Sequence, residues 1–468
     1  MEENLSQCLR FYTRERKKNM SDLTTTADNI SDLPESLLHL ILSFLDMKQV
    51  VQTSCLSTKW RNIWRSVPVL NFDYYSLTNT SDIRNISCKE KFMDIVDHIM
   101  FLRDDSGIQK LKLCSYQDFM GRYDSGRVDA WLLFVIKQQV KEIRLRINPI
   151  YKDYHQLPHL LFTSVIEVFE VYTFCSIFSV QLPNSMCSAT RLRILKLETV
   201  ILPKGDPNGE LVLTCPVLEE MFLKYCSHHD LKILSICAPQ LNNLVISNCR
   251  AASCKIKICS PNLSSLKLIL ACYKDYFLGN LSSLVTAEID ASQLSTKFLV
   301  RVLNGLCNVK TLKIFGYRRK TLPGCAKLGQ GLNMFSNLSC LEFSGFLRSV
   351  RNVTSLLKSS PYIETLTFAC YYLQGKEDDW EEELSIQYRF SHLKYVRVRN
   401  FNGHGNHFKL LAFILRTAPS LQNITITAFS IEKISTTKAF FGSKKMDEFS
   451  EELNSLPRAS SSVTILFL

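Results

Sequence analysis

Residues 192–197 read Leu-Arg-Ile-Leu-Lys-Leu, and the apolar first, fourth and sixth positions of that hexamer decide how the chain around it folds. The last two apolar slots alternate with polar ones, as a short strand with one buried face requires. The same spacing begins at Ile108, Val140, Ile166, Leu192, Leu218, Leu241, Leu263, Leu284 (with Ala287 in the second slot), Val309, Leu338, Ile363, Leu393 and Leu421. These thirteen strings start 21 to 32 residues apart, about 26 on average. A strand, a return segment and another parallel strand make one turn of a solenoid, and only stacking of such turns buries a continuous core.

That period falls in the range of leucine-rich repeats. Helical patterns precede several strings: Phe92, Ile95, Val96, Ile99 and Leu102 before the first, 128–137 before the second, Phe298, Val302, Leu303 and Leu306 before the ninth, and Val353, Leu356 and Leu357 before the eleventh. In the middle the gaps are too short for a helix. There 231–236 and 255–258 read as extended return segments, each followed by a Pro turn (Ala238-Pro239, Ser260-Pro261), so this part should be strand on both sides. Cys226 and Cys249 stand eight residues after Leu218 and Leu241, where such repeats place an Asn or Cys that bonds turn backbone; ordinary buried thiols account for them equally well.

Towards the N-terminus the repeat gives way to residues 29–73, NISDLPESLLHLILSFLDMKQVVQTSCLSTKWRNIWRSVPVLNFD. The spacing predicts a helix over 34–45 with Asp32 as cap, a second over about 48–55, and a third behind Ser57 in which Trp60, Ile63, Trp64 and Val67 recur. The first helix is apolar nearly all round, with Glu35, Ser36, His39 and Ser43 as its polar stripe, and such a helix needs two partners. Three short helices cannot enclose both faces, so the head is either half of a joint or a helical cap on the larger domain.

Leu33-Pro34, the block 41–45, Leu56-Ser57 and Trp60-Arg61-Asn62-Ile63-Trp64 resemble an F-box. The resemblance implies a docking site for the Skp-type adaptor of a cullin-RING ubiquitin ligase, with Leu33, Pro34, Ile41, Leu42, Leu45, Val50 and Trp60 at or under the adaptor interface. Towards the C-terminus, Phe390, Leu393, Val396, Val398, Phe401, Gly403, Leu411, Leu415, Pro419, Leu421 and Ile426 resemble the FBD domain that follows F-box and leucine-rich segments in plant proteins. Acidic residues usually open that domain's helix; this chain has His407, Phe408 and Lys409. Met446, Phe449, Leu453 and Leu456 then lead at helical spacing to a terminal strand over 463–467, an atypical last unit that caps the sheet edge.

The expected fold class is α/β: a disordered arm over 1–28, a three-helix F-box over 29–73, a leucine-rich-repeat solenoid with irregular repeats over 90–388, and an FBD-type cap over 389–468. Of 468 residues 46% are apolar, which supports a large core. No apolar run is long enough to span a bilayer, and the first twenty residues lack the apolar segment of a secretory signal. The basic cluster at 14–18 reads either as a nuclear import patch or as solvated charge. Seventeen scattered cysteines predict free thiols in a reducing compartment, the nucleus or the cytoplasm.

Chemical motifs are missing from the sequence. His228-His229 near Cys226, the trio Cys249, Cys254 and Cys259, and His404 with His407 lack zinc-ligand spacing, and there is no phosphate loop or nucleophile elbow. The acidic run 376–383 reads as an exposed loop. The expected protein is thus no enzyme and holds no cofactor or metal. It offers a surface instead: between the last two apolar slots of each string one residue points outward, and of those thirteen six are basic (Lys112, Arg144, Lys196, Lys267, Lys313 and Arg397), three are acidic (Glu170, Glu288 and Glu342) and Phe222 stands among the rest, with Arg146 and Lys224 in the next slot. Such a row favours an acidic or phosphorylated protein target, or serves solubility alone. The net charge of +12 is spread along the chain, which argues against nucleic acid as partner. The reading is a substrate receptor that joins an unknown protein target to an SCF-type ligase through its adaptor. The alternative is a leucine-rich scaffold that sequesters a partner without ligase activity.

Overall fold

The structure is a computed structural model that describes residues 30–78, 86–115, 125–147, 155–173, 180–228, 231–269, 272–279, 281–291, 294, 296–316, 331–344, 355–369, 389–401, 405–428 and 443–468. The arm over 1–28, Gly403, His404 and the acidic run 376–383 lie outside the described residues. The chain divides into two compact units, Met1–Ser185 and Met186–Leu468.

In the first unit the head contains two α-helices, Glu35–Leu42 and Met47–Gln52. Pro34, not Asp32, caps the first: its carbonyl accepts from Leu37 and Leu38. Asp46 and Gln49 close a capping box on the second, which continues into a 3-10 turn, Thr53–Cys55. The expected third helix is only turns and a 3-10 segment, Ile63–Arg65, although Trp60, Ile63, Trp64 and Val67 are all buried as their spacing implied. Short-range spacing specifies which side chains go inside, and a tight 3-10 turn satisfies it as well as an α-helix does.

The head runs straight into the sheet. Val69–Asp73 pairs in parallel with Lys110–Cys114, which pairs with Glu142–Ile147, which pairs with Val168–Thr173. The sequence boundary at 73 therefore cuts after a strand that belongs to the repeats. Its signal was present, because Val67, Leu70 and Phe72 have the same one-four-six spacing, and all three are buried. Helices Ile86–Leu102 and Ser125–Lys137 form the returns. They are tied together by Arg127 to Asp94 at 2.8 Å and by the Trp131 indole N–H donating to Asp97 at 2.5 Å.

In the second unit eleven parallel strands follow one another in order from Ile194–Glu198 to Thr464–Phe467. All three apolar positions of each of the thirteen strings, in both units, are buried. A fourth buried slot lies three residues before the first: Cys215, Ala238, Ser260, Leu306, Ser360, Phe390 and Ala418 each accept a hydrogen bond at the carbonyl from the N–H of the string's first residue, closing a turn. The middle of this unit is strand on both sides, as its short gaps require. Glu210–Leu213, Ile233–Ile236, Arg250–Ile258 and Cys272–Leu278 form a second parallel sheet of four strands. Where the gaps lengthen, helices return: Thr296–Gly305, Gly405–Thr417 and Ser443–Ser455. A Cβ on Gly305 would come within 2.6 Å of the Leu278 side chain, so that helix end lies on the second sheet only because glycine is there.

The strand-ending turns share one device. Thr199, Tyr225 and Asn248 adopt φ of 60°, 52° and 54°, and each donates its N–H to the following strand, at Lys224, Ser247 and Ile269 respectively. The left-handed residue turns its successor inward, so Val200, Cys226 and Cys249 stack in one buried column. The Cys226 and Cys249 thiols lie 3.5 Å and 3.7 Å from the carbonyls of Leu197 and Leu223, one rung back, which is the turn-bonding role rather than inert filling.

Candidate functional site

The head is held together from inside and leaves one side uncovered. Leu38, Leu42, Met47, Val50 and Trp60 are buried, and the Trp60 indole N–H donates to the Ser31 hydroxyl at 2.9 Å. Lys59 donates to the Leu33 carbonyl at 3.0 Å and so pins the segment that enters the first helix. His39 and Ser66 are in hydrogen-bond contact at 3.0 Å, joining that helix to the end of the head. Arg103 completes the joint below: half-buried, it donates to the Val67 carbonyl at 2.7 Å and the Ser106 carbonyl at 3.2 Å, and desolvation lowers its pKa to about 10.

Leu37, Leu40 and Ile41 stand at i, i+3 and i+4 on the first helix, Phe44 follows in the turn after its end, and all four are in solvent, with Leu40 at 56% exposure and Phe44 at 81%. Leu56 at 61% and Ile30 at 57% are also uncovered. Of the residues the F-box resemblance singled out, Pro34 and Ile41 are exposed and Leu33 and Leu45 are half-buried. Leu42, Val50 and Trp60 lie inside the head and cannot touch a partner directly. They fix the backbone that presents the stripe. Leu37, Leu40 and Phe44 carry the exposed surface instead, and sequence alone could not separate them from Leu38 and Leu42, because every side of the helix is apolar.

Within each unit the outward row of the sheet is in register. In the second unit Lys196, Phe222, Val245, Lys267, Glu288, Lys313, Glu342, Thr367, Arg397 and Thr425 are successive Cα partners. In the first, Lys112 and Arg144 are partners, with Glu170 beyond them and Arg146 one slot outward. The row is not a basic strip. Lys267 pairs with Glu288 at 3.0 Å, Lys313 with Glu342 at 3.4 Å, Lys224 with Glu198 at 2.7 Å, and Arg144 with Glu142 and with Glu170. Arg399 adds a second cation to Glu342 at 3.2 Å. Lys196 lies over the Phe222 ring at 5.3 Å. Of these five glutamates, Glu170, Glu288 and Glu342 stand in the outward row itself, and Glu142 and Glu198 come from the slots beside it.

Among the described residues no group of three or more His, Cys, Asp and Glu is placed to bind an ion; His229 and His404 lie outside them. His228 is buried against Tyr273, ring nitrogen to hydroxyl 2.8 Å, and burial pushes its pKa down to about 4. It is a structural pair between the long sheet's turns and the second sheet. Among the described residues no helix is long and apolar enough to cross a membrane.

A helical head with an uncovered apolar stripe, followed by leucine-rich rungs with a charged outward row, defines a protein built to bind other proteins. The comparisons with known proteins agree with that class. The model of the At1g61320/AtMIF1 LRR domain matches residues 99–463, and that of the F-box domain matches residues 30–72. The F-box/LRR-repeat protein At1g06630 of Arabidopsis thaliana is 31% identical over 357 residues, 73% of this chain and 85% of its own length. The F-box/FBD/LRR-repeat protein At5g53840 of the same plant is 25% identical over 448 residues, 94% of this chain and 95% of its own. The chain belongs to the plant F-box, leucine-rich-repeat and FBD family.

Proposed function

We propose that the head docks the Skp-type adaptor of a cullin-RING ubiquitin ligase and that the outward row of the repeats captures a protein for ubiquitination. The chain itself performs no bond chemistry; it raises the local concentration of target at a catalyst supplied by other subunits. The single observation that carries this reading is the exposed stripe of Leu37, Leu40, Ile41 and Phe44, on a helix whose other face is locked into its own chain. Covering one such side chain is worth about 1.5 to 3 kcal/mol, so four supply a workable docking energy even after the cost of association. Target capture is proposed through the outward row of the second unit, where lateral Lys–Glu pairs leave little net charge. Such a face selects by complementary placement of both charge signs and by the Lys196–Phe222 platform, not by attraction to any polyanion.

The test is a reconstituted ligase containing purified adaptor. Retention of the full chain on adaptor beads, together with ubiquitin transfer to a co-captured protein, supports the proposal. A chain that ignores the adaptor while its head is folded removes it.

A further inference from the structure

Among the described residues, stacking of repeats brings cysteines of successive rungs together in three places of the second unit. Cys226 and Cys249 share the inner column, but both are fully buried and their thiols are taken up by backbone carbonyls one rung back. Cys187 is half-buried beside Cys215, whose thiol is enclosed and donates to the Met186 carbonyl at 3.1 Å. The third couple differs. Ile236 and Ile258 are Cα partners in the second sheet, and Cys237 and Cys259 follow them, each donating its N–H one rung back, to Leu213 and to Ile236. Both cysteines are half-exposed and follow directly on paired residues of adjacent rungs. The next rung has Gly279 in the same row, where a Cβ would come within 2.7 Å of the Cys259 sulfur. Absence of a side chain there leaves that sulfur its room.

We propose that Cys237 and Cys259 form a modification site, a paired dithiol that small disulfides such as oxidised glutathione convert to an internal disulfide stapling two rungs of the second sheet. Rungs of a sheet lie about 4.8 Å apart, inside the span of about 4.4 to 6.8 Å between Cα atoms that a disulfide bridges. Both residues sit one position past the paired part of their strands, so their Cβ atoms can tilt together without breaking the ladder. The thiolate of one cysteine attacks a sulfur of the small disulfide, forming a mixed disulfide and expelling one small thiolate. The second cysteine's thiolate attacks the protein-side sulfur, forming the Cys237–Cys259 bond and expelling the other. The protein pair gives up two protons and two electrons; the small disulfide takes up both and leaves as two thiols. Burial and the neighbouring Cys259 raise the pKa of Cys237, with Lys257 opposing, so closure speeds up as pH rises.

The experiment treats the folded full chain with oxidised glutathione, blocks remaining thiols with iodoacetamide and maps the peptides by mass spectrometry. The expected product is one linked peptide pair containing Cys237 and Cys259, lighter by two hydrogens and reversed by dithiothreitol, with Cys226 and Cys249 still reduced. Oxidised protein should melt at a higher temperature, and Cys237→Ser and Cys259→Ser should each abolish both the link and the shift. Separate alkylation of both residues, glutathione retained on each without a link, or links scattered over other cysteines would each overturn the site. The map of the unmodified chain decides the matter whether or not the serine variants fold.

Discussion

Leu42 and Phe44 are two residues apart in one apolar block, yet the first is 1% exposed and the second 81%. Their substitutions should therefore report different things. Leu42→Ala leaves a cavity and should cost about 2 to 5 kcal/mol of stability, read as a shifted denaturant midpoint. Leu40→Asp combined with Phe44→Asp should leave the midpoint within about 0.5 kcal/mol and weaken adaptor binding by at least roughly tenfold in a titration. Equal binding by that variant would separate the stripe from the docking function. His228 provides a pH-dependent test. Its ordinary value of 6.5 is pushed down to about 4 by burial in the fold, where the ring lies in hydrogen-bond contact with the Tyr273 hydroxyl. Above pH 6.5 the ring is neutral in folded and unfolded chains alike. As pH falls from there, the unfolded chain binds a proton that the fold refuses, so stability should drop by up to about 3 kcal/mol before levelling near pH 4. His228→Phe should flatten that step in urea titrations across the same range.

At the scale of elements, a short gap excludes a helix but a longer one does not dictate it. Where the strings from Leu218 to Leu284 stand 21 to 23 residues apart, a second sheet fills the return; the 26 residues from Leu192 to Leu218 also hold a strand of that sheet, Glu210–Leu213, whereas the 25 before Val309 hold Thr296–Gly305. Only the short-gap part of that choice was readable. The head's third helix was not, because a 3-10 turn and an α-helix bury the same side chains over so few residues. The join between the helix end and the second sheet was also hidden, since only coordinates place Gly305 over Leu278. Gly305→Val should force the helix end away from that strand and cost about 1 to 3 kcal/mol in a melting experiment, with the rungs distant from it unaffected.

The second unit as a whole is a one-dimensional stack in which each strand of the sheet hydrogen-bonds only to its neighbours. Leu244 and Leu366 are both fully buried and lie in strands that do not adjoin. Leu244→Ala and Leu366→Ala should therefore destabilise additively, the double variant matching the sum within about 0.5 kcal/mol. The outward charges belong to this scale too. Lys267, Lys313 and Lys224 are neutralised by neighbouring glutamates, so target affinity should fall only shallowly with salt, in contrast to the steep loss expected of a phosphate-binding surface.

The sequence by itself determined the repeat, its rungs and the residues that face inward, because burial of one strand face leaves a period-two trace that no tertiary detail can alter. It also carried the F-box and FBD resemblances that the family comparisons support. Only the tertiary structure decided which flank of an all-apolar helix stays in water, which outward lysines meet a glutamate, and which cysteines come within reach of one another. Those outcomes depend on contacts between residues some 20 or more positions apart, set by how consecutive rungs stack, and local spacing holds no record of them.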